Sequence, residues 1–366
     1  MNDFIFSSPG KYVQGRGVLD ALGKYLSPLG GKALLIADDI VWEITGQRVK
    51  TSLDHAGVGA HRERFKGEAS ANEITRLADI ARSDECDIIA GLGGGKTLDT
   101  AKAVANELKQ PVVIIPTVAS TDAPCSALSV IYSDEGVFET YRFYAKNPDL
   151  VLVDTEVCAQ APVRLFASGI ADGLATYVEA QAVQRTHSLS MVGGKPTIAG
   201  MAIAEACEKT LLTYGYSAYK AVERHAVTPA VEAVVEANTL LSGLGFENGG
   251  LAGAHAIHNG FTAVQGDIHH LTHGEKVAYG TLTHMLLEQR PDEELARYIR
   301  FYRLIGMPTT LKDIHLENAS FADLVKIGTL ACAEGDTLRN VNASLTAEDV
   351  AHALVAVDAF SRAVGD

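Results

Sequence analysis

Up to about residue 160 the chain alternates short apolar runs with longer stretches of mixed character. KALLIA (32–37), DIIAG (87–91), PVVIIP (111–116) and LVLVD (150–154) are apolar on both faces and are separated by segments long enough for helices. Such runs mark parallel strands covered by helices on both sides. This half is therefore expected to be α/β, with a mostly parallel, Rossmann-like sheet. Between two of the runs, SALSVIYSDEGVFETYRFY (126–144) holds two alternating stretches around Asp134-Glu135-Gly136, which predicts a β-hairpin. After Pro162 the texture changes: RLFASGIADGLATYVEAQAV, KPTIAGMAIAEACEKTLLTY, TPAVEAVVEANTLLSGLGF and EKVAYGTLTHMLLEQ repeat apolar residues at helical spacing. Pro162, Pro196 and Pro229 stand near helix starts, where a missing N–H costs nothing. The expected organisation is an α/β domain over 1–160 and an all-helical domain over 161–366.

Composition narrows the partners. A chain of 366 residues is long enough for two domains, and 47% hydrophobic with 21% charged residues is ordinary for a soluble protein. No stretch approaches the roughly 20 uncharged apolar residues of a membrane helix. The net charge of −14 is spread evenly, which argues against a nucleic-acid partner, since that needs clustered Lys and Arg. The opening MNDFIFSSPGKY lacks the features of an export signal, and the five cysteines are scattered with no C-x-x-C pair. A cytoplasmic protein without disulfides or thiolate zinc is expected.

Chemistry enters first at GLGGGKT (91–97), between a predicted strand and a predicted helix. A P-loop would need glycine at position 90, where the chain has Ala90, and a G-x-G-x-x-G fingerprint starting at Gly91 would need it at 96, where there is Lys96. Both spacings fail, but the physical content survives. Consecutive glycines let the backbone approach an anion, and the helix that follows points its unpaired N–H groups at the same spot. The next strand runs into TVASTDAPCSALS, so Thr117, Ser120 and Thr121 can donate to ribose, phosphate or nicotinamide. Asp38, at the end of the first apolar run, suits a ribose diol and would repel a 2′-phosphate, favouring NAD over NADP; a helix cap is the alternative.

Five of the twelve histidines fall between 255 and 273, and neutral imidazole is the commonest side-chain metal ligand. Spacing alone does not select among His255, His258, His269, His270 and His273. Asp172 interrupts an otherwise apolar helix, FASGIADGLATY, where an ionised carboxylate is costly unless paired or metal-bound. One Asp and two His would leave a position open for substrate, as catalytic zinc sites do.

GLGGGKTLDTAKA, PTVASTDAPCSALSVIY, GIADGLATY, GGLAGAHAIHNG and LTHGEKVAYG, in this order, resemble the glycerol dehydrogenases of the iron-type (group III) alcohol dehydrogenase superfamily. The resemblance implies an N-terminal nucleotide domain and a C-terminal helical domain, as in dehydroquinate synthase. It assigns Asp172, His255 and His273 to the metal, and Asp122 with His255 to the substrate. Asp38, Gly94, Gly95, Lys96, Thr97, Thr117, Ser120, Ser126, Leu128 and Tyr132 are assigned to NAD, and His258 is expected to support a ligand without binding the metal. Iron-dependent members usually carry a histidine one turn after the metal-binding Asp. Here that residue is Thr176, so the resemblance is to the zinc-using subgroup, with one zinc per subunit. The implied reaction is reversible oxidation of glycerol to dihydroxyacetone, with 1,2-propanediol or another small diol as the alternative and a dehydroquinate synthase-like lyase as a remote one. A homo-oligomer, often an octamer in this family, is implied.

Overall fold

The computed structural model describes residues 3–365. The chain folds into two compact units. The α/β unit comprises Ser7–Pro162 together with Ala221–Gly243. Among the described residues, the helical unit comprises residues 3–6, Val163–Lys220 and residues 244–365. The expected single boundary near 160 therefore meets one crossing of the chain at Pro162/Val163. It leaves Ala221–Gly243 on the other side, because these helical residues pack within the α/β unit.

In the α/β unit the order is β1 (Tyr12–Gly15), α1 (Leu22–Leu26), β2 (Lys32–Ala37), α2 (Asp39–Ala56), β3 (Gly59–Arg64), α3 (Ala71–Ser83), β4 (Ile88–Gly93), α4 (Gly95–Leu108) and β5 (Val112–Pro116). A hairpin of β6 (Leu128–Tyr132) and β7 (Phe138–Phe143) follows, then β8 (Leu150–Asp154) and α5 (Thr155–Gln160). The six-stranded sheet has the order β1-β8-β5-β4-β2-β3 and every pairing in it is parallel. Strands β4, β5 and β8 are buried throughout, which is why the apolar runs foretold them. The two edge strands were not foretold: β1 is half-buried along its length, and β3, GAHRER, is polar because its outer side meets water.

The connection pattern matters for ligands. From β2 the chain goes outward to β3 and then returns to pair β4 against the other side of β2. Between β2 and β4 the winding direction reverses, and in open α/β sheets the crevice at the carboxyl ends of such neighbours receives ligands. Asp38 follows β2 and Gly94 follows β4, so the order of strands delivers both candidate residues to that crevice.

The helical unit contains α6 (Val163–Arg185) and most of α7 (Ile198–Val222). α8 (Pro229–Glu236) lies in the α/β unit, and α9 (Ser242–Gly249) follows it. The helical unit ends with α10 (Gly253–Gly260), α11 (His273–Leu287), α12 (Asp292–Leu304), α13 (Phe321–Ala331) and α14 (Ala347–Ala363). α6, α10 and α11 form its centre. They come unusually close because α11 has glycine at two crossings: a Cβ on Gly274 would lie 1.9 Å from the Ser168 carbonyl oxygen, and one on Gly280 2.5 Å from that of Ala254. Among the described residues, no helix is long and apolar enough to cross a membrane.

Candidate active site

The glycine loop separates into two kinds of glycine. A Cβ on Gly91 would sit 2.7 Å from that of Ala101, and one on Gly93, whose φ is +154°, would sit 2.8 Å from Thr97 Oγ1. These two are demanded by the packing of β4 on α4. Gly94 and Gly95 are not: their nearest neighbours would be Val118 Cγ1 at 3.8 Å and Thr121 Oγ1 at 3.7 Å, ordinary contact distances. The chain's own packing would accept a side chain at either position, so the absence of one points to something else approaching the backbone. Gly94 is the N-cap of α4 and offers no side chain to its first N–H groups, which makes that end a natural anion seat. Thr97 is buried, whereas Lys96 is exposed, with its ammonium 2.7 Å from each carboxylate oxygen of Glu68 and 5.0 Å from the centre of the Tyr132 ring.

Asp38 is the N-cap of α2, and its Oδ1 accepts the Val41 N–H at 2.8 Å. The capping role weighed as the alternative to ribose binding is therefore present, and it occupies one carboxylate oxygen. Its neighbour Asp39 is engaged by Arg62 at 2.7 Å and Arg64 at 3.0 Å.

Beyond β5 the loop carrying the remaining candidates lies against the glycines, with Thr117 donating its N–H to the Gly93 carbonyl at 3.1 Å. Thr117, Ser120 and Asp122 are half-buried, and Asp122 precedes a short 3-10 turn, Ala123–Cys125. Ser126 is wholly buried: its hydroxyl donates to the Ala123 carbonyl and accepts from Lys102 Nζ, each at 3.3 Å. Leu128, also buried, opens β6, and Tyr132 closes it with its hydroxyl pushed well above the ordinary range by burial.

In the helical unit the structure brings together Asp172 from α6, His255 from α10 and His273, the first residue of α11. One potential ligand atom from each lies within 4.8 Å of the others. Asp172 Oδ1 is 3.1 Å from His273 Nε2 and 3.5 Å from His255 Nε2. Burial alone would raise the Asp172 carboxyl, but the imidazoles of His273 and His255 hold it well below the usual carboxylate range. His273 is set by its helix start: Thr272 caps α11 and forms a capping box with Glu275, which Arg164 also grips at 2.7 Å.

His255 is set by a residue that the sequence did not single out. Glu179, fully buried on α6, takes His255 Nδ1 at 2.6 Å through one oxygen and the N–H groups of Ala252 and His255 at 2.9 and 3.0 Å through the other. The same carboxylate thus caps α10, whose own N-cap residue, Ala252, has no capping side chain, and directs Nε2 toward Asp172. Between these two carboxylates, His255 is pushed well above its ordinary range despite its burial. One carboxylate oxygen and two imidazole nitrogens converging at this range suit a divalent first-row metal, and the Glu179–His255 bond is the usual outer support of such a ligand.

The family model for iron-containing alcohol dehydrogenases matches residues 9–155. The glycerol dehydrogenase of Escherichia coli O6:H1 is 49% identical to this chain, covering 98% of each. The glycolaldehyde reductase of Halobacterium salinarum is 48% identical, covering 99% of each. The chain belongs to the iron-containing alcohol dehydrogenase family. The crystal structure of glycerol dehydrogenase from Schizosaccharomyces pombe matches this fold with a TM-score of 0.96 and 43% identity, covering 99% of this chain and 92% of that one.

As a member of the iron-containing alcohol dehydrogenases, the chain is an alcohol oxidoreductase that departs from the iron ligand pattern at Thr176, a buried residue one turn after Asp172. The other candidate histidines fall outside the triad. His258 stacks edge-on to His273 with ring centres 4.4 Å apart, and burial followed by His273 and Lys276 pushes it well below its ordinary range. His269 is held by the Val264 carbonyl at 2.7 Å, and His270 lies on the surface. Glu179 stands seven residues after Asp172. Two carboxylates two turns apart on one face of an apolar helix were the signal that could have found it.

Proposed function

We propose that the protein is an NAD-dependent dehydrogenase of small vicinal diols that interconverts glycerol and dihydroxyacetone. The observation that carries this reading is the convergence of Asp172, His255 and His273 in a chain nearly half identical to a named glycerol dehydrogenase. A metal bound there, for which zinc is our choice, would act as a Lewis acid that lowers the pKa of a substrate hydroxyl. Gly94, Gly95 and the first N–H groups of α4 hold the pyrophosphate, and Lys96 and Thr97 stand beside it. Asp38 accepts from the adenosine ribose. Thr117, Ser120, Ser126, Leu128 and Tyr132 line the remainder of the cofactor. Asp122 would hydrogen-bond the substrate hydroxyl and pass its proton to water, and NAD, when bound, would supply the acceptor for the hydride from the carbinol carbon.

The glycolaldehyde reductase among the relatives favours a second reading within the same chemistry, since an α-hydroxyaldehyde offers the same pair of adjacent oxygens as a diol. A panel of alcohols and aldehydes with NAD and NADP, run on protein stripped of metal and reloaded with zinc or iron, separates the possibilities. Glycerol and 1,2-propanediol should lead with NAD and zinc; activity confined to long-chain primary alcohols would overturn the diol reading. The same reading carries a cytoplasmic homo-oligomer, which sedimentation would detect.

The two kinds of glycine give a separate check. Gly94→Ala and Gly95→Ala should fold with unchanged thermal midpoints and raise the KM for NAD about tenfold, ~1.4 kcal/mol of lost binding. Gly91→Ala should instead destabilise the fold by about 1–3 kcal/mol through overpacking against Ala101. Thermal melts beside NAD kinetics distinguish the two, and a cradle variant with normal KM would remove the pyrophosphate from this loop.

A further inference from the structure

The segment TLDTAKA, which follows the glycine loop, contains two charged residues that none of the roles above uses. Asp99 and Lys102 lie one turn apart on α4 and are only 5% and 3% exposed. Lys102 Nζ is surrounded by four oxygens: Asp99 Oδ1 at 3.2 Å, the Ala123 carbonyl at 2.5 Å, Ser126 Oγ at 3.3 Å and the Leu128 carbonyl at 3.0 Å. Asp99 completes the attachment, its Oδ2 accepting the Val130 N–H at 3.0 Å and its carbonyl accepting the Ser129 hydroxyl at 2.8 Å.

Burying an ion pair is seldom a route to stability, because the desolvation of two charges consumes most of what their attraction returns. What this pair does achieve is geometric. Its partners run from Ala123 to Val130, the stretch that holds Ser126 and Leu128 and lies immediately after Asp122, and all are fastened to one helix. That helix begins at Gly95, about two turns earlier, with the N–H groups assigned to the pyrophosphate. Two further side-chain anchors, Asn238 on the Ala119 carbonyl and Asn147 on that of Cys125, tie the loop to other parts of the unit.

We infer that Asp99 and Lys102 are positioning residues that lock the loop over the nicotinamide half of NAD to the helix that holds its pyrophosphate. This rests on the NAD reading above. The ammonium presents three protons to four oxygens, so a neutral side chain of equal length cannot reproduce the arrangement. Losing it frees the loop but leaves the glycine cradle and the Asp38 cap in place.

The test compares two probes on the metal-loaded enzyme, ADP-ribose and NADH, by fluorescence titration and competition. In Lys102→Met the dissociation constant for ADP-ribose should stay within about twofold, whereas NADH should bind about tenfold more weakly and the KM for NAD should rise by a similar factor. Equal weakening of both probes, or of neither, overturns the inference. Asp99→Asn, which keeps the shape and removes the charge, should give the same split at smaller size, and it decides the matter if Lys102→Met does not fold. Should wild-type protein fail to let ADP-ribose compete with NADH, the cradle reading itself falls and takes the inference with it; with that competition intact, the split between the two probes tests the pair alone.

Discussion

Asp172→Asn should remain folded, bind NADH as the wild type does, and lose its metal together with at least about 100-fold of its turnover. Removing even an outer partner of a metal ligand typically costs about 10- to 100-fold in affinity or activity, so removing an anionic ligand sets the upper value as a floor. The side chain is wholly buried, and its Oδ1 meets both histidine Nε2 atoms. An amide of the same shape keeps the packing between α6, α10 and α11 but supplies a weaker donor and no charge. The candidate cofactor residues belong to the other compact unit, so NADH titration should be unaffected. Metal per chain by elemental analysis, read beside turnover and NADH affinity, checks all three parts; a variant with full metal content and normal turnover would remove Asp172 from the centre.

Glu179→Gln carries the second large effect, and its cause is the tautomer of one ring. The Glu179 carboxylate can only accept, so His255 Nδ1 must donate to it, and Nε2 is the nitrogen that offers the lone pair when the ring is neutral and binds a metal. A glutamine oxygen can still take the N–H groups of Ala252 and His255, which turns its NH2 toward Nδ1. The proton then moves to Nε2, where it blocks a metal. Affinity should fall by about 10- to 100-fold with little change in the melting of metal-free protein. Glu179→Ala loses the cap of α10 as well and should cost a further ~1–3 kcal/mol, the penalty for leaving buried N–H groups unmet. Competition against a chelator measures the first effect and denaturant melts the second. Unchanged affinity in Glu179→Gln would mean that other contacts fix the ring.

How far the sequence could be read depended on which sides of a residue are enclosed. Strands β4, β5 and β8 are enclosed on both faces, so their composition is nearly all apolar and names them. The edge strand β3 has one open side and reads GAHRER, indistinguishable from a loop until β2 is seen beside it. The hairpin around Asp134 was legible because alternation and turn residues are both local. Ala221–Gly243 was placed with the helical half because periodicity reports helix and is silent about neighbours.

The same distinction governs the site. Asp172 declared itself as a charge on an apolar helix. The choice of His255 and His273 from five candidates came from family resemblance, because it depends on how close α10 and α11 approach α6, and that is decided by glycines at the helix crossings, which no spacing of histidines reports. Glu179 stayed hidden because a glutamate late in a helix looks like a solvated charge until its burial is known. Lys102 stayed hidden in the same way: three of the four oxygens around it come from Ala123–Leu128, a distant stretch of chain, and no local pattern encodes that.

On the ribose role proposed for Asp38, its cap links cofactor choice to folding. Because one of its oxygens holds the Val41 N–H, replacing Asp38 to admit a 2′-phosphate also removes the tether of α2 unless the newcomer can cap. Alanine would give up about 1 kcal/mol of helix stability while it relaxes selectivity, whereas serine or asparagine could keep the helix start and drop the charge. Routes from NAD to NADP in this chain are therefore narrowed by a rule of helix initiation, and the permitted residues at position 38 are those that serve the backbone first.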